Sequence, residues 1–173
     1  MSLPFPDRVQ AGRALAEAVG HLAVEPDLLV LALPRGGVPV AREVARRLDA
    51  DMDLVLVRKL GVPGHEELAM GAIATGGGRV LNEDVVSGLG IGSEAIEAVT
   101  ARETRELERR EKAFRGTRAV PDVSGRHVVL VDDGIATGAT MRAAVGALRE
   151  QGPRRITVAV PVAPADTVAA LRE

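Results

Sequence analysis

The chain of 173 residues has no cysteine, no tryptophan and no tyrosine, and its only aromatic residues are Phe5 and Phe114. Without cysteine there is neither a disulfide framework nor a thiolate metal site. The scarcity of rings narrows how a planar ligand could be held, because a base usually stacks on an aromatic face. Of 22 basic residues only Lys59 and Lys112 are lysines, and the net charge is -2, so no bulk attraction to nucleic acid or to a membrane surface is expected. No apolar run approaches the roughly 18 residues needed to span a bilayer. The segment Met1-Ser2-Leu3-Pro4-Phe5-Pro6 lacks the basic and apolar regions of a signal peptide, which implies a cytoplasmic protein.

What is present is an alternation of strands and helices. Asp7 can cap a helix running to Leu22, with Val9, Leu15, Val19 and Leu22 at roughly helical spacing. Leu28 to Leu33 is a continuous apolar run, as in a strand buried on both faces, and it ends at Pro34-Arg35-Gly36-Gly37. A helix follows with Val40, Val44 and Leu48 on one face, then a strand over Asp53–Val57. Arg58 to Glu67 reads as a polar loop. Leu68–Thr75 and Arg79–Leu81 read as short strands around Gly76-Gly77-Gly78. Ser93 to Arg115 is a long charged helix whose apolar stripe is thin: Ile96, Val99, Leu107 and Phe114. After a linker over 117–126 come a buried-type strand, His127–Val131, a helix from about Gly138 to Gln151, a strand from Arg155 and a final helix from Ala165. The pattern predicts an α/β fold, doubly wound, with a mainly parallel sheet flanked by helices. One domain over 1–173 is expected, with a flexible loop at about 58–78 and a charged helical insertion at about 83–116.

The chemistry lies in Val129-Leu130-Val131-Asp132-Asp133-Gly134-Ile135-Ala136-Thr137-Gly138-Ala139-Thr140. A buried strand delivers two acids to its C-terminal edge, where open α/β sheets hold their ligands. The turn then enters a helix whose first N–H groups are unpaired and favour an anion. A plain cap would need one acid; two acids, two glycines and two threonines exceed that need. The segment suits a sugar phosphate, with amides and hydroxyls on the phosphate and carboxylates accepting from ribose hydroxyls.

This segment resembles the signature of the type I phosphoribosyltransferases, which bind 5-phosphoribosyl-1-pyrophosphate (PRPP): an apolar strand, two acids, small or apolar residues, then Thr-Gly-x-Thr. The order of elements from about Leu28 to Val160 is similar as well. The resemblance implies that Asp132 and Asp133 hold the ribose hydroxyls, that Ala136, Thr137, Gly138, Ala139 and Thr140 hold the 5-phosphate, and that Gly134 lies in the same PRPP loop. Arg35, Gly36 and Gly37 would form the pyrophosphate loop, where relatives have a non-proline cis peptide. Arg58 and Lys59 would bring cations to the pyrophosphate from a flexible catalytic loop. Lys59, Arg35, Asp132 and Asp133 are therefore the catalytic candidates. His65, beside Glu66 and Glu67 in the loop, could donate or accept a proton, and His21 and His127 read as structural. Mg²⁺ would be held mainly by PRPP itself, with Asp132 and Asp133 as its protein contacts.

The implied reaction is transfer of the phosphoribosyl group to a small nitrogenous acceptor with release of pyrophosphate, in a homodimer with no nucleic-acid or membrane partner. Two departures bear on the acceptor. Purine-salvage members carry an acid where this chain has Ala136, so a 6-oxopurine is disfavoured. The hood that walls the acceptor would have to come from residues 79–120, with Phe114 its one aromatic. Two other readings remain open: a PRPP-sensing regulator without transferase activity, and a partner-binding domain that works through its long charged helix.

Overall fold

In the computed structural model, residues 4–172 are described, and their backbone divides into two compact units. The first takes in the described parts of 1–55 and 152–173 together with 123–139; the second comprises 56–122 and 140–151.

The first unit is built on a parallel sheet. Its strands are β1 (Leu28–Ala32), β2 (Asp51–Leu54), β6 (His127–Val131) and β7 (Arg155–Ala159), in the order β2-β1-β6-β7. Every residue of β1 and β6 is buried, as their unbroken apolar runs predict. Leu28, Val30, Ala32, Val129 and Val131 pack on α1 (Arg8–Ala18) and α2 (Gly37–Leu48), which contribute Leu15, Ala16, Val40, Val44 and Leu48. Asp7 caps α1, its carboxylate accepting from the Gln10 amide at 2.8 Å. The chain then tightens into a 3-10 turn over Gly20–Val24, so the expected helix to Leu22 is divided. The last helix of the unit, α6, spans Ala165–Leu171. The strand order reverses between β1 and β6. In such sheets that switch point is where the strand ends open a crevice for ligand.

The second unit is antiparallel: β3 (Val57–Val62), β4 (His65–Ala74) and β5 (Arg79–Leu81) pair in sequence order. Here two expectations are corrected. The second core strand ends at Leu54, and Arg58 to Glu67, read as a loop, is a β-hairpin turning at Pro63-Gly64. Residues 63–68 are exposed at its tip, so no apolar alternation advertises the strands there. Gly64 takes φ 80 in the turn. A side chain on Gly61 would lie 2.7 Å from the Glu66 carbonyl, which explains glycine inside this strand.

A short helix, α3 (Glu83–Gly88), precedes α4 (Ser93–Arg115). Leu56, Leu60, Met70 and Ile73 of the hairpin region pack on Ile96, Val99 and Leu107 of α4. The stripe departs from expectation at its end: Phe114 is 39% exposed, and Arg115 is buried instead. In α5 (Ala139–Arg149), Gly146 lies close to Val80, and beyond the helix Gln151 donates to the Thr75 carbonyl at 2.8 Å. Among the described residues no helix is long and apolar enough to cross a membrane.

Candidate functional site

Asp132 and Asp133 follow the last residue of β6 directly. The backbone turns there so that the Asp133 amide donates to the Asp132 carboxylate at 2.8 Å. Burial raises the pKa of Asp132 to about 6; the Asp133 amide opposes the rise and the Asp133 carboxylate adds to it. Asp133 is paired outward: the Arg8 guanidinium of α1 donates Nε–H to its Oδ2 at 2.9 Å. The Arg8 side chain is 61% exposed, so the pair contributes little to stability. Its consequence is positional, because it holds one face of the Asp133 carboxylate.

The chain from Gly134 to Gly138 is tied down by the segment after β7. The Ile135 amide donates to the Val162 carbonyl at 3.0 Å, and the Thr167 hydroxyl of α6 donates to the Ala136 carbonyl at 3.0 Å. Gly138 takes φ 80, a left-handed conformation that lets the loop swing into α5. Thr137 is exposed and accepts from the Ala139 amide at 3.4 Å; Thr140, in the first turn of α5, is exposed as well. Small residues, exposed threonines and a helix N-terminus suit the approach of an anion to the backbone amides.

The loop after β1 meets these carboxylates. The Leu33 amide donates to the Val131 carbonyl at 3.0 Å, so the two strand ends leave the sheet side by side. The Pro34–Arg35 peptide is cis, within the stretch where the resemblance implies such a bond. Arg35 is exposed. A side chain on Gly36 would run into the Asp133 carboxylate, and one on Gly37 would lie 2.8 Å from the Val131 carbonyl and 3.3 Å from Asp132 Oδ1. Both glycines are thus required by close approach. Gly37→Ala is expected to cost about 1–3 kcal/mol by overpacking against backbone, read as a lower thermal midpoint; an unchanged midpoint would contradict the packing described.

The remaining candidates lie on the second unit. Arg58 is engaged, its guanidinium donating to Glu103 of α4 at 2.7 Å. Lys59, the next residue of β3, is exposed and has no ion pair among the described residues. His65 is exposed at the start of β4. His127 is fully buried, with Nε2 at 2.8 Å from the Thr157 hydroxyl, and burial lowers its pKa, against the opposing pull of Glu25. Arg8 is not legible as a site residue from the sequence, since 125 positions separate it from Asp133.

Comparison with known proteins agrees with this geometry. Residues 7–172 match the family described as phosphoribosyl transferase domain. A Mycobacterium tuberculosis protein provisionally named a phosphoribosyl transferase is 50% identical over 165 residues, 95% of this chain and 37% of that protein. The chain therefore spans little more than a third of that relative. The bifunctional protein PyrR of Pelotomaculum thermopropionicum is 34% identical over 124 residues, 70% of this chain and 62% of that one. Among solved structures, the Thermus thermophilus protein TT1426 superposes with a TM-score of 0.84 at 46% identity, covering 98% of this chain and 80% of that one. With the family matched across nearly its whole length and the two strand-end loops built as described, the chain belongs to the phosphoribosyl transferase family.

Proposed function

We propose that this chain transfers the 5-phosphoribosyl group of PRPP to a nitrogen acceptor and releases pyrophosphate. The acceptor nitrogen donates its lone pair to C1 of the ribose. The bond from C1 to the pyrophosphate oxygen breaks with its electron pair leaving on pyrophosphate, and the acceptor nitrogen gives up its proton to bulk water. One observation carries the reading: two carboxylates at the end of a buried strand, with glycines from the neighbouring strand end packed directly on them.

In this reading Asp132 and Asp133 accept from the ribose hydroxyls, and Gly134 to Thr140 bind the 5-phosphate through amides and hydroxyls. Arg35 and the amides of Gly36 and Gly37 take the pyrophosphate, and Lys59 adds charge as the leaving group departs. Among the described residues no three His, Asp or Glu side chains are grouped to hold a metal. A carboxylate pair at a strand end fits Mg²⁺ delivered on the substrate, since that ion keeps several waters and binds through phosphates. Bound there through Asp132 and Asp133, it would neutralise pyrophosphate charge.

The raised pKa of Asp132 gives a pH test. Ribose hydroxyls need an ionised acceptor, so PRPP affinity should fall as pH drops from about 7.5 to about 5.5, through the Asp132 pKa. The phosphates of PRPP protonate near the same pH, so Asp132→Asn serves as the control and should show the smaller fall. Stability moves the other way. Between the ordinary carboxylate pKa and about 6, folded Asp132 binds more protons than unfolded, so its contribution is present at low pH and is lost as pH rises through 6. Identical pH profiles for PRPP binding in the two proteins would exclude Asp132 from the ribose site.

A PRPP-sensing regulator would share the site and lack the chemistry. Arg109 and Arg110 of α4 pair with Glu106 and Arg102 with Glu103, and over the whole helix six glutamates balance five arginines and one lysine, so it carries no net positive charge for nucleic acid. Pyrophosphate release from PRPP with Mg²⁺ across a panel of amines and nucleobases separates the two readings: release with any acceptor supports transfer, and none with any acceptor supports sensing.

A further inference from the structure

A cavity of about 680 Å³ opens on the first unit beside Asp133. Its walls include Phe5, Pro6, Val9, Pro39, Pro161 and Val162, and its polar lining consists of Asp7, Arg8 and Asp133. Cavities of this size hold small organic molecules. Its position relates it to the reaction, because in the reading above Asp133 accepts from a ribose hydroxyl. C1 is bonded to the carbon bearing the 2-hydroxyl, so the space next to these carboxylates is where an acceptor must wait.

The lining then says what kind of acceptor. Among the described residues the cavity has no serine, threonine, asparagine, glutamine, histidine or lysine. A purine or pyrimidine carries several donors and acceptors on its edge, and here they would lose water and find few partners, which costs binding. Rigid proline rings and one of the two aromatics in the chain favour a flat apolar ring instead. The side chains of Asp7 and Asp133 can accept from N–H and only Arg8 can donate, so a neutral N–H donor is matched and an anionic ring is not. We infer that this cavity is the acceptor subsite and that it takes a neutral aromatic amine or azole, with the N-terminal segment around Phe5 as its wall. This rests on the function proposed above.

The absence of tryptophan and tyrosine makes a direct test possible, since Phe5→Trp would carry the only indole in the chain. Benzimidazole, hypoxanthine and uracil are titrated against this variant with PRPP and Mg²⁺ present, and the indole emission is followed. Benzimidazole should change the emission saturably, with hypoxanthine and uracil at least tenfold weaker. Calorimetry on the unsubstituted chain and on Phe5→Ser, which removes the ring from the apolar wall without adding charge, gives an independent readout: benzimidazole affinity should fall at least tenfold in the variant while PRPP affinity stays within about twofold. PRPP binding without any response to benzimidazole overturns the subsite and leaves the proposed function standing. Equal responses to the three rings overturn the acceptor class. Loss of PRPP binding by the unsubstituted chain overturns both.

Discussion

Asp132→Asn combined with Asp133→Asn should weaken PRPP binding at least tenfold, about 1.4 kcal/mol, in a protein that still folds. Both acids stand at a strand end and are only partly buried, so neither is part of the apolar core. The amide oxygen of Asn at position 132 can still accept from the backbone at 133, as the carboxylate now does. Burial already disfavours the charge on Asp132, so neutralising it there costs the fold little. The exposed Arg8 pair would be lost, a small term. What disappears is the charged acceptor pair for ribose hydroxyls, whose charge-assisted bonds are stronger than those of an amide. Calorimetry with PRPP, beside a thermal melt, checks both halves; unchanged affinity in a folded double variant would mean that ribose is held elsewhere.

The larger kinetic effect belongs to Lys59. Lys59→Ala should cut turnover by about 10²-fold or more, the scale of losing one transition-state donor, while PRPP affinity stays within a few-fold. Arg58 is committed to Glu103, so of the adjacent cations Lys59 is the one with charge to offer. It is exposed on a strand leading to a Pro63-Gly64 hairpin tip. A cation that meets the pyrophosphate chiefly as charge develops would raise turnover more than affinity. Lys59→Arg should recover part of the loss. Full activity in Lys59→Ala, once an acceptor is known, would remove the residue from the mechanism.

Much of the fold is legible from the chain, for physical reasons that differ by element. β1 and β6 are buried on both faces, so their apolar runs are continuous, and α4 has charge patterning along its length. The hairpin over β3 and β4 is not legible, because its tip is solvated on both faces and carries Pro, Gly, His and Glu like any loop. The first boundary between the two units has no marker, since Val55-Leu56 reads as uninterrupted strand, whereas the one at 122/123 falls within the linker over 117–126. In the site, the local segment Asp132–Thr140 is readable because its chemistry lies within nine consecutive residues. The packing of Gly36 and Gly37 on the carboxylates, the Arg8 pair and the Phe5 wall are not, because each joins distant parts of the chain. Periodicity and motif spacing report on neighbours along the sequence and contain no term for such contacts.

The most direct measurement is a calorimetric titration of the unsubstituted chain with PRPP in excess Mg²⁺, with ribose 5-phosphate titrated in parallel. Saturable binding of one PRPP per chain, at least tenfold tighter than ribose 5-phosphate because the pyrophosphate loop adds its own contacts, is the predicted result. A folded chain that binds neither, or that binds ribose 5-phosphate as tightly as PRPP, would contradict the assignment of the two strand-end loops.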